Sequence, residues 1–590
     1  MMDEPNPPVW PDSVIIVHDT EDADTMKQKL EPTQDSWNAE HNTFTCDYHF
    51  SDRRYAVLFT PGIYRNVDLE VGYYVQVAGL GVTPNHVQFK GDGKGPHVPS
   101  LNRHIHKNSG TCLDTFWRSG ENFSCANDMV WAVSQASPLR RVHCQKDLYL
   151  HDKDAYASGG HIANAVVDGH THFGGQQQYL SRNVHFGKGA SGGAWSMVYV
   201  GCGDNAPPNS ATNTTITKTR VRVEKPYIAV YDDDKTKFQL RIPLVNDGTT
   251  DNLPQVTGDN EESRDFRHVK VATASESTRA IQKALDEGKD VVLTPGIYYL
   301  DQSLDVHKDN QVVLGLGLAT LVSPVGSPCI RVAPGTAGVR IAGVMLEAPA
   351  VDPAKRKSTE SHWSLLEYGC EGQTQADDPK NPGALFDIFC RVGGGGDADK
   401  RHWINIDSMV RIHSSHVIGD NLWLWRADHA ELNPGESPNC PNVSPVFYQT
   451  EKDEYNVDTG IVVTGDNVTI YGLAVEHTSK HQTIWKGENG AVYFYQCEFP
   501  YDVDTDFGKA GYRGYFIGNS VKAHSLNSPG IYSNFRNATV QVETAIQHPD
   551  SPEIEVVNPF TVHLDNNGII ASVINGRGPA AQKQGVPSRV

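Results

Sequence analysis

Residues 291–317 of the chain read VVLTPGIYYLDQSLDVHKDNQVVLGLG, and residues 57–81 read VLFTPGIYRNVDLEVGYYVQVAGLG. Both segments contain TPGIY and end on GLG, and the two TPGIY copies begin 234 residues apart. A match of this length indicates an internal duplication. We therefore expect two homologous domains, since a chain of 590 residues is too long to fold around a single core.

A short helical segment precedes each copy of the duplicated stretch. These segments are residues 20–30 (TEDADTMKQKL) and residues 275–289 (SESTRAIQKALDEGK). In the second one, Ser275 or Ser277 fits the N-cap position and Gly288 fits the C-terminal glycine position. Its narrow apolar face is predicted to consist of Ile281, Ala284 and Leu285. We expect each helix to cover the open end of a β-solenoid, which would otherwise expose a sheet edge.

Short apolar runs follow each helix. Examples are QVVLGLG, GVRIAGVML, NVTIYGLAVE and AVYFYQCEF, separated by Gly, Asn or Asp. No regular helices lie between these runs, which excludes an alternating β/α architecture. A β-sandwich would match the density of strands. The Asn-led and Gly-led bends favour a parallel β-helix, because both residues suit tight turns between faces.

The domain boundaries are predicted from changes in composition. We place the first β-helix domain at residues 13–235, a linker at 236–265 and the second β-helix domain at 266–590. The surrounding stretch 203–265 is polar, although it contains strand-like segments. A polar insertion at 351–382 is expected to form a long surface loop that flanks a cleft.

The formal charge of −20 excludes some partners. Without a basic patch there is no means of releasing counterions, so we expect no nucleic acid and no anionic membrane as a partner. A neutral polymer is compatible with an acidic surface. No apolar run reaches the length of a transmembrane helix, and the first 11 residues do not read as a signal peptide. The ten cysteines show no CxxC spacing, which argues against a zinc site.

Glu476 and Glu498 are the first candidates for chemistry. They lie 22 residues apart, roughly one coil of a parallel solenoid, and each ends an apolar run. One coil apart, they would stand on neighbouring strands of one face, and two carboxylates around a shared space suit glycoside hydrolysis. Aromatic neighbours would raise the pKa of Glu498, as a general acid requires. The alternative is two exposed surface glutamates.

A second cluster, DNLWLWRADH (420–429), has the composition of a sugar site. Tryptophan faces stack on sugar rings, and Arg, Asp and His side chains hydrogen-bond to hydroxyls. The residues proposed here for substrate binding are Trp423, Trp425, Arg426, Asp428 and His429. The alternative is that both tryptophans belong to the core and that the Arg–Asp pair is a surface ion pair.

Two further segments supply polar candidates. His477 would line the pocket near Glu476; because EHTSKH lacks a third ligand, we predict no metal and no cofactor. In GGQQQYLSRNVHF (174–186), strand alternation would place Gln176 and Gln178 on one side. One of them would bind water or sugar, and the alternative is an inward glutamine ladder that stabilises the solenoid.

These residues together resemble a known family. TPGIY…GLGLAT, NLWLWRADH, DTGIVVTGDNVTIYGLAVEH and IWKGENGAVYFYQCEFPYD resemble glycoside hydrolase family 55, especially its bacterial-type branch. WRSGENFS (117–124), WAVSQASPLRR (131–141), GGQQQYLSRNVHFG and WSMVYVG (195–201) resemble the first-domain pattern of that family. The resemblance extends from about residue 13 to residue 580.

The resemblance implies an all-β fold of two tandem right-handed parallel β-helices of the pectin-lyase-like type, packed side by side. The implied activity is exo-acting hydrolysis of laminarin-type β-1,3-glucan with inversion. Glu498, from the family's E-[LMTF]-P-Y pattern, would be the general acid, and Glu476, from its VEH pattern, would position the water. Gln176 would contribute from the first domain, and the glutamates should lie roughly 6.5–9.5 Å apart. Tyr501 and Gln178 join the predicted substrate-binding residues.

The expected partner is a β-1,3-glucan polysaccharide or oligosaccharide, bound by a monomer. Secretion is inferred from the polymeric substrate. Two other functions stay open. One is a different polysaccharide-active enzyme on the same solenoid, such as a lyase or a hydrolase of another linkage, although the acidic charge argues against a uronate lyase. The other is a non-catalytic glycan-binding solenoid, which would not need both glutamates.

Overall fold

The computed structural model describes most of the chain. The described residues are 3–34, 37–38, 43–44, 50–100, 112–113, 115–152, 155–246, 256–349, 363–372, 378–394, 404–431, 447–565 and 567–590.

The first solenoid is built on an 11-stranded parallel sheet. Its strands are Val14–Val17, Tyr55–Phe59, Val75–Gly79, Arg118–Cys125, Leu139–Cys144, His161–Val167, Gln178–Phe186, Ser196–Val200 and Asn213–Ile216, with Gly62–Arg65 and Val87–Lys90 beside them. A five-stranded parallel sheet forms another face, from Met129–Val130, Leu148–Tyr149, Tyr156–Ala157, Thr171–Gln176 and Ala190–Gly192. Buried side chains such as Trp131, Phe123 and Tyr179 fill the space between the faces.

The second solenoid repeats this plan with a 13-stranded sheet. Its strands are Val269–Ala272, Asp290–Leu293, Ile297–Tyr299, Val312–Val322, Arg340–Glu347, Ala384–Val392, Ile418–Arg426, Thr469–Glu476, Gly490–Glu498, Ala523–Ser533, Glu553–Val557, Phe560–His563 and Ser588–Arg589. An eight-stranded parallel sheet lies on another face, from Leu304–Val306, Ile330–Val332, Ser364–Tyr368, Ile404–Ile412, Tyr455–Val463, Thr483–Trp485, Tyr515–Ile517 and Ile546–Gln547. The predicted class, two right-handed parallel β-helices packed side by side, is confirmed.

Smaller elements complete the fold. Two-stranded pairs are Trp37–Asn38 with Thr43–Phe44, Asp68–Glu70 with Gly95–His97, His429–Glu431 with Phe447–Gln449, and Gln541–Val542 with Ile569–Ile570. Short 3-10 helices are Glu31–Thr33, Pro84–His86 and Phe266–His268, and a third α-helix is Thr505–Lys509.

The two predicted cap helices are present as Ala23–Leu30 and Thr278–Asp286. Ser277 is the N-cap of the second helix, because its side chain accepts a hydrogen bond from the Ala280 backbone N–H. Gly288 follows the helix with φ of +80°, a conformation that favours glycine. The predicted apolar face, Ile281, Ala284 and Leu285, is buried as expected.

The long strands bend where one residue adopts positive φ. In successive coils of the second domain these residues are Asp387, Asn421, Gly472 and Phe494. The register of the parallel ladder skips each of them. Before the bend, side chains such as Tyr471 and Tyr493 pack in the cluster between the two solenoids. After the bend, the strands continue towards Glu476 and Glu498.

The solenoids meet through an apolar cluster with charges inside it. Leu58 and Leu180 of the first domain belong to the same cluster as Leu314, Phe386 and Tyr471 of the second. This packing removes the outer faces of both long sheets from water, which stabilises the side-by-side arrangement.

Asp420 lies at the centre of the buried charges. Its carboxylate contacts Arg140 at 2.8 Å, Arg182 at 2.6 Å and His161 at 3.1 Å, all from the first domain. Burial alone would raise the pKa of Asp420, but the two guanidinium groups together lower it well below its usual range. Asp420 is therefore ionised and joins the two domains electrostatically.

Asp387 extends the network by one coil. It contacts Arg140 at 2.7 Å and Lys225 at 3.1 Å. Lys225 in turn contacts Glu121 at 3.0 Å. Burial opposes ionisation of Asp387, yet Arg140 and Lys225 lower its pKa to about 2. Because every member is buried, removal of one partner would leave an uncompensated charge.

The stretch predicted as a linker contains ordered structure. Within 236–265, the strands Phe238–Pro243 and Glu261–Asp265 form a three-stranded antiparallel sheet with Tyr227–Val230, which lies at the end of the predicted first domain. Trp10 packs edge-on against Phe238, with ring centres 5.3 Å apart. The division into 13–235, 236–265 and 266–590 stays a prediction.

The predicted loop at 351–382 is wrong in part. Residues 351–362 and 373–377 lie outside the described residues. Between them, the apolar run Ser364–Tyr368 is a buried strand of the eight-stranded sheet, because it continues the parallel ladder between Ile330–Val332 and Ile404–Ile412.

Two general features concern the described part of the chain. Its eight cysteines are free thiols: Cys112, Cys125, Cys144, Cys202, Cys329, Cys370, Cys390 and Cys497. No helix within that part is long and apolar enough to cross a membrane.

We predict that Asp420→Asn destabilises the protein strongly. The change removes the negative charge that neutralises Arg140 and Arg182, and breaking a buried ion pair costs about 3–5 kcal/mol. The measurement is the thermal unfolding midpoint. The matched control is Asp506→Asn, which removes an exposed partner of Lys509; such surface pairs contribute about 0–1 kcal/mol. Equal midpoints for the two variants would contradict the assigned role of Asp420.

Candidate active site

Glu476 and Glu498 end neighbouring strands and are direct partners in the parallel ladder. Neighbouring strands lie about 4.8 Å apart, so both side chains leave the same edge of the sheet side by side. Glu476 is 4% exposed and Glu498 is 9% exposed. The prediction of neighbouring coils on one face is therefore confirmed, and the alternative of two exposed surface glutamates is wrong.

Three N–H groups point at Glu476. Its Oε1 accepts from Gln135 Nε2 at 3.0 Å and from Gln496 Nε2 at 2.5 Å. Its Oε2 accepts from Trp423 Nε1 at 2.8 Å. In all three hydrogen bonds the Glu476 carboxyl group is the acceptor, an arrangement that suits a carboxylate held in one orientation.

Gln135 brings the first domain into the site. Its side-chain oxygen accepts from Ser158 Oγ at 2.6 Å, which turns its amide nitrogen towards Glu476. The same nitrogen also lies 3.2 Å from Gln496 Oε1. A cavity of about 20 Å³ lies beside these amides, with room for about one water molecule. The site thus lies at the junction of the two solenoids.

Glu498 has different partners. The Tyr501 hydroxyl donates a hydrogen bond to Oε2 of Glu498, which lies three residues earlier in the chain. The Glu498 backbone carbonyl accepts from the His477 N–H at 2.8 Å. One hydroxyl donor holds Glu498, whereas three N–H donors hold Glu476, so the two carboxyl groups are distinguished by their surroundings.

The pKa of each glutamate is raised. Burial, and next the charge of Glu498, raise the pKa of Glu476, against the hydrogen bonds from Trp423 and Gln496. Burial likewise raises the pKa of Glu498, against the hydrogen bond from Tyr501. Two desolvated carboxyl groups on neighbouring strands cannot both ionise easily, so the pair retains a proton towards neutral pH.

Asp428, His429 and His477 form a polar group near Tyr501. His429 Nδ1 lies 3.0 Å and His477 Nε2 lies 3.8 Å from Asp428 Oδ1. Burial would raise the pKa of Asp428, but the charge of His429 and the other nearby cations lower it well below its usual range. Burial lowers the pKa of His477 to about 4. The His477 ring packs edge-on against Tyr501, with centres 4.4 Å apart.

Arg426 is buried, and its hydrogen bonds go to other groups of the protein. Its guanidinium pairs with Asp502 at 2.9 and 2.6 Å. It also donates to the carbonyl oxygens of Tyr455 and, at 3.1 Å, of His477. Arg426 is 2% exposed. The predicted hydrogen bond from Arg426 to sugar hydroxyls is therefore not supported, because these partners engage all three guanidinium nitrogens.

Trp423 and Trp425 form a buried aromatic layer behind Glu476. Their ring centres lie 5.6 Å apart, and Trp117 of the first domain lies 5.7 Å from each. Phe50 stacks on Trp425 at 6.3 Å. Both tryptophans are 3% exposed, which agrees with core residues. Their predicted role as a sugar platform stays a prediction.

Gln176 and Gln178 do not share a face, because the chain turns at Gln177 between the strands Thr171–Gln176 and Gln178–Phe186. Gln176 is fully buried and donates to the carbonyl oxygens of Val133 at 3.0 Å and Leu150 at 2.7 Å. These contacts match the inward glutamine ladder. They do not support the predicted catalytic contribution of Gln176, and the first-domain glutamine that contacts Glu476 is Gln135.

Gln178 lies nearer the site. Its Oε1 accepts from the Tyr532 hydroxyl at 2.8 Å, and Tyr532 is the ladder partner of Glu498. Gln178 also borders the small cavity beside Gln135. Its predicted substrate contact stays a prediction, supported by this position.

Sequence reasoning missed Gln135, Gln496 and Ser158. Gln135 lies in WAVSQASPLRR, a stretch that carried the family resemblance, but nothing local marks its side chain. Gln496 lies two residues before Glu498 and therefore on the same strand face. That alternation was the one available signal. Within the described residues, no group of three His, Cys, Asp or Glu is arranged to hold a metal ion.

The chain is similar to known proteins over most of its length. Residues 269–498 match the family model of the LAM55 pectate lyase-like domain. An exo-beta-1,3-glucanase from Streptomyces sp. (strain SirexAA-E / ActE) is 32% identical over 555 residues, which are 92% of this chain and 84% of the relative.

Two solved structures of sacteLam55A from Streptomyces sp. SirexAA-E are also similar, each 29% identical. The first has a TM-score of 0.84 and covers 100% of this chain and 99% of that one. The second, a variant in complex with glucose, has a TM-score of 0.81 and covers 98% and 97%. Because the exo-beta-1,3-glucanase is 32% identical over 92% of this chain, the chain belongs to glycoside hydrolase family 55.

Proposed function

We propose that the protein hydrolyses β-1,3-glucan from the chain end with inversion of configuration. The observation that carries the hydrolysis is the pairing of Glu476 and Glu498 on neighbouring strands, both desolvated and each held by different partners. Inversion is taken from the family resemblance, because the neighbouring strands by themselves do not give the carboxyl separation of roughly 6.5–9.5 Å that inverting enzymes use, and that separation stays a prediction. The family relationship supports the substrate and the exo mode, because the similar Streptomyces protein is an exo-beta-1,3-glucanase.

Glu498 is the general acid in this proposal. Burial keeps its proton towards neutral pH, and Tyr501 fixes one carboxyl oxygen. The other oxygen is then available to protonate the glycosidic oxygen as the bond breaks. An acid with a raised pKa is the form that such a step requires.

Glu476 positions the attacking water. Burial raises the pKa of Glu476, but its three N–H donors act in the opposite direction. In this proposal the pair keeps its one proton on Glu498, so that Glu476 is the carboxylate that accepts a hydrogen bond from water and orients it. Gln135 and Gln496 border a cavity with room for a water molecule, which supports water close to Glu476. Attack on the face opposite the leaving group would invert the anomeric carbon.

The remaining assignments follow from this function. We propose that Asp428, His429, His477, Tyr501 and Gln178 contact sugar, since they surround the two carboxyl groups. We also propose that the protein is secreted, because a glucan polymer is found outside the cell; the monomeric state stays a prediction.

Laminarin distinguishes this function from its alternatives. We expect α-glucose as the first product, because inversion converts a β-linkage into an α-anomer. Proton NMR during hydrolysis measures the anomer before mutarotation. Release of β-glucose would contradict inversion, an unsaturated product would indicate a lyase, and binding without release would indicate a non-catalytic solenoid.

We predict that Glu498→Gln loses about 10²–10⁴-fold in kcat, because the amide cannot supply the proton. Oligosaccharide binding, measured by calorimetry, should persist because the amide has a similar shape. The control is Glu553→Gln, which changes an exposed glutamate on another strand. A wild-type kcat for Glu498→Gln would show that another group supplies the proton.

The pH profile offers a separate prediction. A general acid acts while protonated, so kcat/KM falls as pH rises through the pKa of Glu498. The hydrogen bond from Tyr501 lowers this pKa; Tyr501→Phe should therefore raise the pKa and move the alkaline limb to higher pH. An alkaline limb that stays in place or moves to lower pH would contradict the assignment.

A further inference from the structure

A short strand late in the chain reaches across to the first domain. Ser588–Arg589 pairs antiparallel with Phe560–His563 in the main sheet of the second solenoid. The Arg589 guanidinium lies 4.6 Å from the centre of the Phe560 ring. The same group donates to the backbone carbonyl oxygen of Trp195, in the first solenoid, at 2.7 Å. Arg589 therefore joins Trp195 to the second domain.

Trp195 leads directly to the catalytic pair. Its ring centre lies 5.5 Å from that of Tyr532, and the planes are tilted by 36°. Tyr532 is the ladder partner of Glu498 and donates to Gln178. Tyr532 is buried, whereas Trp195 is half-buried. Glu498, Tyr532 and Trp195 therefore lie next to one another in that order, and the Trp195 indole is partly exposed.

The charge of Arg589 suits this position. Phe560 supports the guanidinium from one side through a cation–π contact, and the Trp195 carbonyl receives one of its N–H groups. A planar, multi-donor group can hold both partners at once, which a single ammonium does less well. The Trp195 backbone is therefore fixed from the second domain, and the ring is fixed against Tyr532.

We propose that Arg589 is a positioning residue for the substrate site. It holds Trp195 beside Tyr532, so that the partly exposed indole presents a rigid stacking face to a glucosyl unit near Glu498. Aromatic side chains with few polar neighbours are typical walls of such pockets. This inference rests on the proposed function and identifies one wall of its binding site. Arg589 contributes to binding rather than to proton transfer.

The test measures kcat and KM for a β-1,3-linked glucose trimer. We expect Arg589→Ala to raise KM about tenfold with kcat within about twofold, because an interaction used equally in substrate and transition state affects KM. Arg589→Lys retains a donor and should recover part of the affinity. The control Arg577→Ala removes an exposed arginine from the same C-terminal segment and should change neither constant.

A double-mutant cycle tests whether Arg589 acts through Trp195. In a Trp195→Ala background, Arg589→Ala should add no further increase in KM, since contacting residues are non-additive. Additive effects, an unchanged KM for Arg589→Ala, or a loss of kcat alone would each overturn the inference. Thermal unfolding midpoints identify any variant that fails to fold. If Arg589→Ala fails to fold, the KM of Arg589→Lys tests the inference instead. Absence of glucose release by the wild type would instead contradict the proposed function.

Discussion

The spacing of the parallel ladder is the constraint on which the rest of the structure depends. Each coil must place its strand about 4.8 Å from the previous one. Residues one coil apart are therefore neighbours, as Glu476 and Glu498 are. Because the register is continuous along the sheet, the row extends to Trp425 on one side and Tyr532 on the other. A pair of carboxyl groups needs no special loop to bring it together here.

Joining the two solenoids completes the surroundings of the proposed catalytic pair. One solenoid alone would leave Glu476 without the amide of Gln135, which comes from the first domain. The joint is held by apolar packing and by the buried charges around Asp420. It also excludes water from the glutamates, and this burial is the main cause of their raised pKa values. The contacts that join the two domains and the residues of the proposed chemistry thus lie at the same interface.

Local patterns predicted elements well and side-chain partners poorly. Ser277 and Gly288 marked the ends of the second cap helix because capping is a short-range effect. Arg426 looked equally suited to sugar or to a carboxylate, and its partner Asp502 lies 76 residues later. The prediction that Gln176 and Gln178 share a face was wrong for a related reason. Alternation holds only within one strand, and a corner at Gln177 turned Gln176 inward.

The amino-acid sequence by itself determined the duplicated β-helix plan, the caps and the two glutamates one coil apart, because repeat length and strand pattern are local properties of the chain. Only the tertiary structure decided which residues surround those glutamates. Gln135 and Trp423 reach Glu476 from the other domain or another coil, and Ser158 orients Gln135. Such contacts depend on how coils and domains stack. Sequence spacing does not encode that stacking when the partners lie 341 residues apart, as Gln135 and Glu476 do.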